Sequence, residues 1–145
     1  MKISQEDFNR KIREFKEIED ARDQLWDRAK ILIEKGFEIE AYVPHLVSDP
    51  LKNPTMTPRE VYELDRNQVA NSNLIIVYAG VPSFGVGMEV EIASEYKVPV
   101  ILLMEKSAQV SRMVRGNPTV IAELRFDGFS DALGQLANWL GNQTL

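Results

Sequence analysis

The chain alternates between amphipathic stretches with helical spacing and short apolar runs. Over residues 4–35 apolar residues recur at helical spacing, which predicts one helix, or two helices that meet near residues 17–19. The segments that read as strands of a mostly parallel sheet are 37–43, 74–79, 98–104 and 120–126. Helices between them predict an α/β fold. The expected architecture is a three-layer sandwich of flavodoxin or Rossmann type with four to five strands and an atypical helical N-terminus.

Several helix ends carry the residues that favour them. Residues 57–60, Thr-Pro-Arg-Glu, have the pattern of a capping box with proline at the first helical position, which predicts a helix from there to about Ser72. Gly36 is expected just after the end of the N-terminal helix. Ser130 is expected to cap a terminal helix.

A buried strand, a glycine-rich turn and a helix start follow one another within residues 74–93. The run 74–77 is wholly aliphatic, glycines and a proline interrupt residues 80–87, and helical spacing resumes over 86–96. Open α/β sheets bind ligands outside the carboxyl ends of their strands, and the amides before a helix favour an anion such as phosphate. Glu89 is expected in the first turn of that helix, either as a partner of the helix dipole or as a functional side chain of the site.

Three further segments carry candidate chemistry. Asp65 lies on much the same helix face as apolar residues, although an exposed charge at the edge of that face has the same spacing. His45 follows the first predicted strand and could face a ligand, yet a lone histidine is more often a structural hydrogen-bonding group. Residues 107–117 form a small basic segment in an acidic protein, which predicts either anion contact by Ser111 or the arginines, or a solvated connector.

Composition narrows the classes of function. The chain has 145 residues, 44% of them hydrophobic, which fits a single domain spanning 1–145. A net charge of −5 argues against general affinity for nucleic acid or anionic membranes. No cysteine is present, which excludes disulfides and thiolate metal sites, and a single histidine argues against a histidine-rich metal site. Without a signal-like or membrane-spanning run, the expected location is cytoplasmic.

Several motifs together carry a family resemblance. They are residues 61–65 (Val-Tyr-Glu-Leu-Asp), 72–77 (Ser-Asn-Leu-Ile-Ile-Val), 82–89 (Pro-Ser-Phe-Gly-Val-Gly-Met-Glu), 92–93 (Ile-Ala) and 98–101 (Val-Pro-Val-Ile). With these motifs the region from about 37 to 118 resembles the nucleoside 2-deoxyribosyltransferase superfamily. Its closest branch looks like the 2′-deoxynucleoside 5′-monophosphate N-glycosidases.

This resemblance implies an activity. Members of that branch cleave or transfer at the N-glycosidic bond of a nucleotide without a metal or redox cofactor. The resemblance implies that Glu89 is the nucleophile that attacks the anomeric carbon of the sugar. It implies that Asp65 orients or protonates the reacting centre. Carboxylate pairs act in this way in other glycoside cleavages, where they stabilise or trap an oxocarbenium-like centre.

The same resemblance implies a phosphate site and an assembly. Ser83 and the amides of Gly85, Val86 and Gly87 would hold the 5′-phosphate. The stretch 111–116, Ser-Arg-Met-Val-Arg-Gly, is similar to a segment whose serine reaches a phosphate in the neighbouring subunit. Ser111 is therefore implied to act across the interface of a homodimer or higher homo-oligomer, with a small nucleotide or nucleoside as the other partner.

The chain also departs from the family pattern, which leaves other functions open. No glycine occurs in residues 1–18, where the family has a strand and a closing loop, Asn73 replaces an acidic residue, and Glu91 replaces a small one. One alternative is a module that binds or senses a nucleotide in the same crevice without turnover. Another is a flavodoxin-like scaffold in which Glu89 only complements the helix dipole.

Overall fold

The computed structural model describes residues 4–37 and 39–142. The chain divides into two compact units, Met1–Ala41 and Tyr42–Leu145, and the prediction of a single domain stays a prediction. The helices are α1 (Gln5–Phe37), α2 (Pro44–Val47), α3 (Pro58–Ala70), α4 (Phe84–Glu95), α5 (Arg112–Arg115) and α6 (Phe129–Gly141). The strands are β1 (Ile75–Tyr78), β2 (Val100–Glu105) and β3 (Val120–Phe126). No helix within these described ranges has the length and apolarity that crossing a membrane would require.

The first unit is built on one long helix. Helix α1 is continuous, so the alternative of two helices meeting near 17–19 is wrong, and it includes Gly36 before it ends at Phe37. Phe8, Ile12 and Phe15 keep the helical spacing of apolar residues in this segment, and their side chains lie outside the described residues.

The strand predicted at 37–43 is not formed in the part of that segment the structure describes. Its backbone groups find other partners in α1. The Lys30 ammonium donates to the Ala41 carbonyl at 2.7 Å, and the Ala41 amide donates to the Glu34 carboxylate at 3.3 Å. A backbone that side chains satisfy in this way needs no neighbouring strand. These contacts also lower the pKa of Glu34, first through the Lys30 hydrogen bond and then through the Ala41 amide.

The second unit contains a parallel sheet in the order β1-β2-β3. Ile75 pairs with Val100 and Tyr78 with Leu103, and on the other side of β2 the pairing runs from Val100 with Val120 to Glu105 with Phe126. The α/β class and the parallel sheet are confirmed, with three strands in the described residues rather than four to five. Because the strands are parallel, Tyr78, Glu105 and Phe126 end at one edge, and α4 begins beyond that edge.

Burial follows the apolar runs of the sequence. Strand β2 is buried along Val100–Met104, and its side chains form a core with α3 and α4 residues such as Val69, Val90 and Ala93. The predicted capping box is confirmed: the Thr57 hydroxyl accepts from the Glu60 amide, and the Glu60 carboxylate accepts from the Thr57 amide at 2.7 Å.

The prediction that Ser130 caps the last helix is wrong. Helix α6 begins at Phe129 after Gly128, with no side-chain cap, so Ser130 lies inside its first turn. Asp131 supports this end instead, because its carboxylate accepts from the Asp127 amide at 2.9 Å and from Gln135 at 3.1 Å. Leu136 and Leu140 are buried, and α6 packs against β3.

Candidate active site

Helix α4 begins two residues earlier than the sequence predicts. Ser83 is its N-cap, and the Ser83 hydroxyl accepts a hydrogen bond from the Val86 amide at 3.4 Å. Gly85 and Gly87 therefore lie in the first turns of the helix rather than in a loop. The prediction that Glu89 lies in the first turn is wrong, because Glu89 is the sixth helical residue and so lies in the second turn.

This placement argues against a dipole partner. The attraction of a helix N-terminus for a carboxylate fades within the first turn and lowers the pKa of the group it favours. The pKa of Glu89 changes in the opposite direction. Burial, followed by the negative charge of Asp65, raises the pKa of Glu89 from 4.5 to about 7. Glu89 is thus a partly buried carboxyl that is held half protonated near neutral pH.

The structure brings Asp65 and Glu89 into electrostatic contact. Asp65 is carried by α3 and Glu89 by α4, two helices that pack against each other. Asp65 is also partly buried. Its burial raises the pKa of the carboxyl by more than the hydrogen bond from Tyr42 lowers it, so the net change is upward. Two neighbouring carboxyls with raised pKa values can hold one proton between them, which is the requirement for acid and nucleophile to coexist.

Tyr42 is a site residue that the sequence interpretation did not identify. Its hydroxyl donates to Asp65 Oδ1 at 3.3 Å. The pKa of Tyr42 is raised to about 12. Burial is the largest cause, followed by the negative charge of Asp65, the hydrogen bond to Asp65 and the negative charge of Glu89. The phenol therefore stays protonated and orients the Asp65 carboxylate. One feature of the sequence indicates this position. In the alternating segment 37–43, Tyr42 alternates in phase with Glu40, so the pattern puts it on the polar side of the segment.

The first turn of α4 offers few amides to an anion. The Val86 amide is bonded to the Ser83 hydroxyl, and the Gly87 amide donates to the Ser83 carbonyl at 3.2 Å. The amides of Phe84 and Gly85 precede the first intrahelical bond and have no partner within the helix. Gly85 and Val86 lie four and three residues before Glu89, so they share its helix face.

The edge of the sheet holds a third carboxylate. The Tyr78 hydroxyl donates to Glu105 Oε1 at 2.6 Å. A Cβ at Gly80 would collide with both side chains, so glycine at this position lets the chain turn close over the pair. Glu105 is therefore engaged beside the loop that leads from β1 to α4.

The other predicted residues lie elsewhere. His45 falls within α2, and its side chain lies outside the described residues. Ser111 is exposed and caps the short helix α5 by accepting from the Met113 amide at 3.3 Å. Glu91 is also exposed and accepts from the Asn117 amide group at 3.0 Å, so it lies on a solvated face of α4.

No group of three or more histidine, cysteine, aspartate or glutamate side chains is placed to hold a metal ion in the described ranges. The groups that the site presents are the carboxyls of Asp65 and Glu89, the Tyr42 hydroxyl and the helix-end amides. These are groups that can move a proton, stabilise positive charge at carbon and hold an anion.

Comparison with known proteins identifies relatives but no matching family model. Over 93 residues the chain is 37% identical to a protein of Methanosarcina mazei provisionally named 2′-deoxynucleoside 5′-phosphate N-hydrolase 1. A protein of the same provisional name from Methanosarcina barkeri is 38% identical over 82 residues, and one from Methanococcoides burtonii is 29% identical over 101.

The matched regions cover part of each protein. They span 62% of this chain and 58% of the M. mazei protein, 54% and 52% for M. barkeri, and 68% and 81% for M. burtonii. The chain thus spans little more than half the length of the first two relatives.

Among solved structures, the CMP N-glycosidase of Clostridium botulinum has a similar fold. It superposes with a TM-score of 0.68 at 19% identity, over 84% of this chain and 93% of that one. The sequence matches therefore confirm the predicted resemblance of this chain to the nucleotide N-glycosidase branch of the nucleoside 2-deoxyribosyltransferase superfamily, and the solved structure confirms the fold.

Proposed function

We propose that the chain cleaves the N-glycosidic bond of a nucleoside 5′-monophosphate, with Glu89 as nucleophile and Asp65 as acid and base. The observation that carries the proposal is the partly buried pair Asp65 and Glu89, in which burial and the Asp65 charge raise the pKa of Glu89 to about 7. The names of the relatives point to the same bond and the same class of substrate.

The two carboxyl groups can complete the reaction in two steps. The Glu89 carboxylate attacks C1′ of the sugar, the C1′–N bond breaks, and its electrons stay with the base, which takes a proton from Asp65. Water then attacks C1′ and loses a proton to Asp65, and the ester bond breaks to restore Glu89. The products are the free base and a sugar 5-phosphate. A second base in place of water would give transfer instead.

A second assignment of roles is favoured by one observation. Because the pKa of Glu89 is about 7, a large share of molecules carries the proton on Glu89 at neutral pH. Glu89 would then be the acid and Asp65, hydrogen-bonded to Tyr42, the nucleophile. Both assignments use one proton shared by the same pair, so a pH profile alone does not separate them.

Release of free base tests the proposed activity. We expect the purified protein to liberate base from at least one member of a panel of deoxyribonucleoside and ribonucleoside 5′-monophosphates, detected by chromatography. Binding without release, with equal affinity in the wild type and in Glu89→Gln, would show a nucleotide-sensing module instead. Neither binding nor release would contradict both functions.

The 5′-phosphate is proposed to lie at the start of α4, held by the Ser83 hydroxyl and the amides of Phe84 and Gly85. The amides of Val86 and Gly87 are engaged within the helix and would contribute through the positive end of its dipole. The base and sugar would then extend toward Glu89 along the face that carries Gly85 and Val86.

The variant Ser83→Asp tests this phosphate site. Aspartate is as good an N-cap as serine, so α4 should stay folded, while its charge repels phosphate. We expect the affinity for a nucleoside 5′-monophosphate to fall at least tenfold and that for the matching nucleoside to stay unchanged. Thr57→Asp, which likewise introduces aspartate at the N-cap of α3, is the control and should change neither of the two affinities. Equal loss for nucleotide and nucleoside would contradict the phosphate assignment.

Ser111 is proposed to complete the site of a second copy in a homodimer or higher homo-oligomer. Its segment is suited to an interface, because Ser111 and Arg112 are exposed and Met113 is 88% exposed. On α4 the apolar side chains of Phe84 and Met88 are 97% and 51% exposed, beside the proposed phosphate site.

Subunit mixing tests this role. Ser111→Ala and Glu89→Gln should each lose most activity, whereas mixing them after subunit exchange should recover about a quarter of wild-type sites, since half the dimers are mixed and each has one intact site. Light scattering gives the oligomeric state of each sample. A monomer, or a dimer in which mixing recovers nothing, would contradict the shared site.

A further inference from the structure

Arg66 joins α3 to α4 near the carboxyl ends of both helices. Its Nη2 atom donates to both carboxylate oxygens of Glu95 at 3.0 Å and to the Tyr96 hydroxyl at 3.2 Å. The guanidinium carbon also lies 5.3 Å from the centroid of the Tyr96 ring. One side chain thus makes an ion pair, a hydrogen bond to a hydroxyl and a cation–π contact between α3 and the end of α4.

One end of this contact adjoins the carboxylate pair in sequence, and the other lies between one and two turns further along α4. Arg66 directly follows Asp65 on α3, and Glu95 lies six residues after Glu89 on α4, which is about 9 Å along a helix axis. The two helices otherwise meet through apolar residues such as Val69, Val90 and Ala93. Apolar contacts are non-directional, whereas a guanidinium bound to three acceptors fixes orientation and register.

We propose that Arg66 is a positioning residue, which sets the separation of Asp65 and Glu89 by locking α3 against α4 through Glu95 and Tyr96. Its catalytic consequence rests on the proposed function, but its geometric consequence does not. An ion pair as exposed as this one, with side chains 30% and 57% accessible, contributes little to overall stability. Its effect is therefore expected in the alignment of the site, where small displacements cause large losses of rate.

Arg66→Met removes the contacts and keeps an unbranched side chain. Arg59→Met is the matched control, because Arg59 also lies on α3 and pairs with Glu63 at 2.8 Å, yet this pair stays within one helix. Both variants lose one arginine and one exposed ion pair. Glu95→Gln removes the ion pair from the α4 side, and Arg66→Lys keeps the charge without the planar guanidinium that lies over the Tyr96 ring.

The first readout is the pKa of the Glu89 carboxyl, followed by carbon-13 NMR titration. Asp65, on α3, and Tyr42 are the titratable groups coupled to it. If Arg66 only supplied positive charge, its removal would raise the pKa of Glu89. If it holds Asp65 near Glu89, its removal lets that negative charge move away, and the pKa of Glu89 falls.

The second readout is base release. We expect Arg66→Met and Glu95→Gln to lower kcat at least tenfold with KM nearly unchanged and to lower the pKa of Glu89, with Arg66→Lys intermediate and Arg59→Met like wild type. Arg66→Met and Glu95→Gln matching Arg59→Met in both readouts would overturn the proposal. If the wild type releases no base, the proposed function fails, and the NMR titration still decides the positioning role.

Discussion

Glu89→Gln is expected to abolish base release, with a loss of at least a thousandfold, and to make the protein more stable at pH 8. An amide cannot form the glycosyl ester and cannot deliver or accept the proton, so both assignments of roles in the pair predict the loss. Nucleotide binding should persist, because the proposed phosphate contacts come from Ser83 and the amides at the start of α4.

The gain in stability follows from the direction of the pKa change. Folding raises the pKa of Glu89 from 4.5 to about 7, so between these pH values the folded protein binds a proton that the unfolded chain has released. The stabilising contribution is complete below about pH 4.5 and is lost as the pH rises through 7, at a cost of up to about 3 kcal/mol. The raised pKa of Asp65 acts in the same direction.

Thermal unfolding from pH 4.5 to 8 measures this effect. The difference in unfolding free energy between Glu89→Gln and wild type should grow with pH in favour of the variant and be near zero at the acid end. Glu91→Gln is the control, because Glu91 is exposed on the same helix and bonded to Asn117. A variant that is less stable than wild type at pH 8 would show that Glu89 has a structural role instead.

Asp65→Asn should have the second largest effect. Loss of its proton transfer to and from the leaving base should lower kcat by about a hundredfold or more. The variant also removes the negative charge that raises the pKa of Glu89, so the acid limb of the pH profile should move to lower pH. Glu63→Gln, an exposed change on the same helix, should leave rate and profile unchanged.

The two effects of Asp65→Asn can be separated by substrate. A nucleotide whose base leaves readily without protonation should lose less activity in the variant than a natural one, whereas the shift of the acid limb should be the same for both. An unchanged acid limb would contradict the electrostatic coupling of the pair, even if activity fell.

The elements that the sequence predicts well are those determined by local signals. The capping box at 57–60 requires only four neighbouring residues, and the buried run 100–104 has the composition of a central parallel strand. The segment 37–43 has an equally clear alternation, but its outcome depends on Lys30 and Glu34, which bind the backbone of Ala41. That competition comes from side chains outside the segment, so periodicity within it gives no warning.

In the site, too, local motifs are predictable from the sequence and contacts between distant residues are not. Glu89 and Asp65 were identified through motif resemblance, and the structure places both in one electrostatic cluster. Tyr42 was missed, because its role depends on a contact with Asp65, twenty-three residues away in sequence. The sequence places the start of α4 too late, because the glycines at 85 and 87 are typical of a loop, although the helix already contains them.

Locating the covalent intermediate tests directly whether Glu89 is the nucleophile. Wild-type protein turning over a saturating nucleoside 5′-monophosphate is quenched in acid, digested and analysed by mass spectrometry. We expect a sugar 5-phosphate ester on the peptide that contains Glu89, and none in Glu89→Gln. An ester on Asp65 would reverse the two roles, and base release with no ester on either carboxylate would contradict nucleophilic catalysis by Glu89.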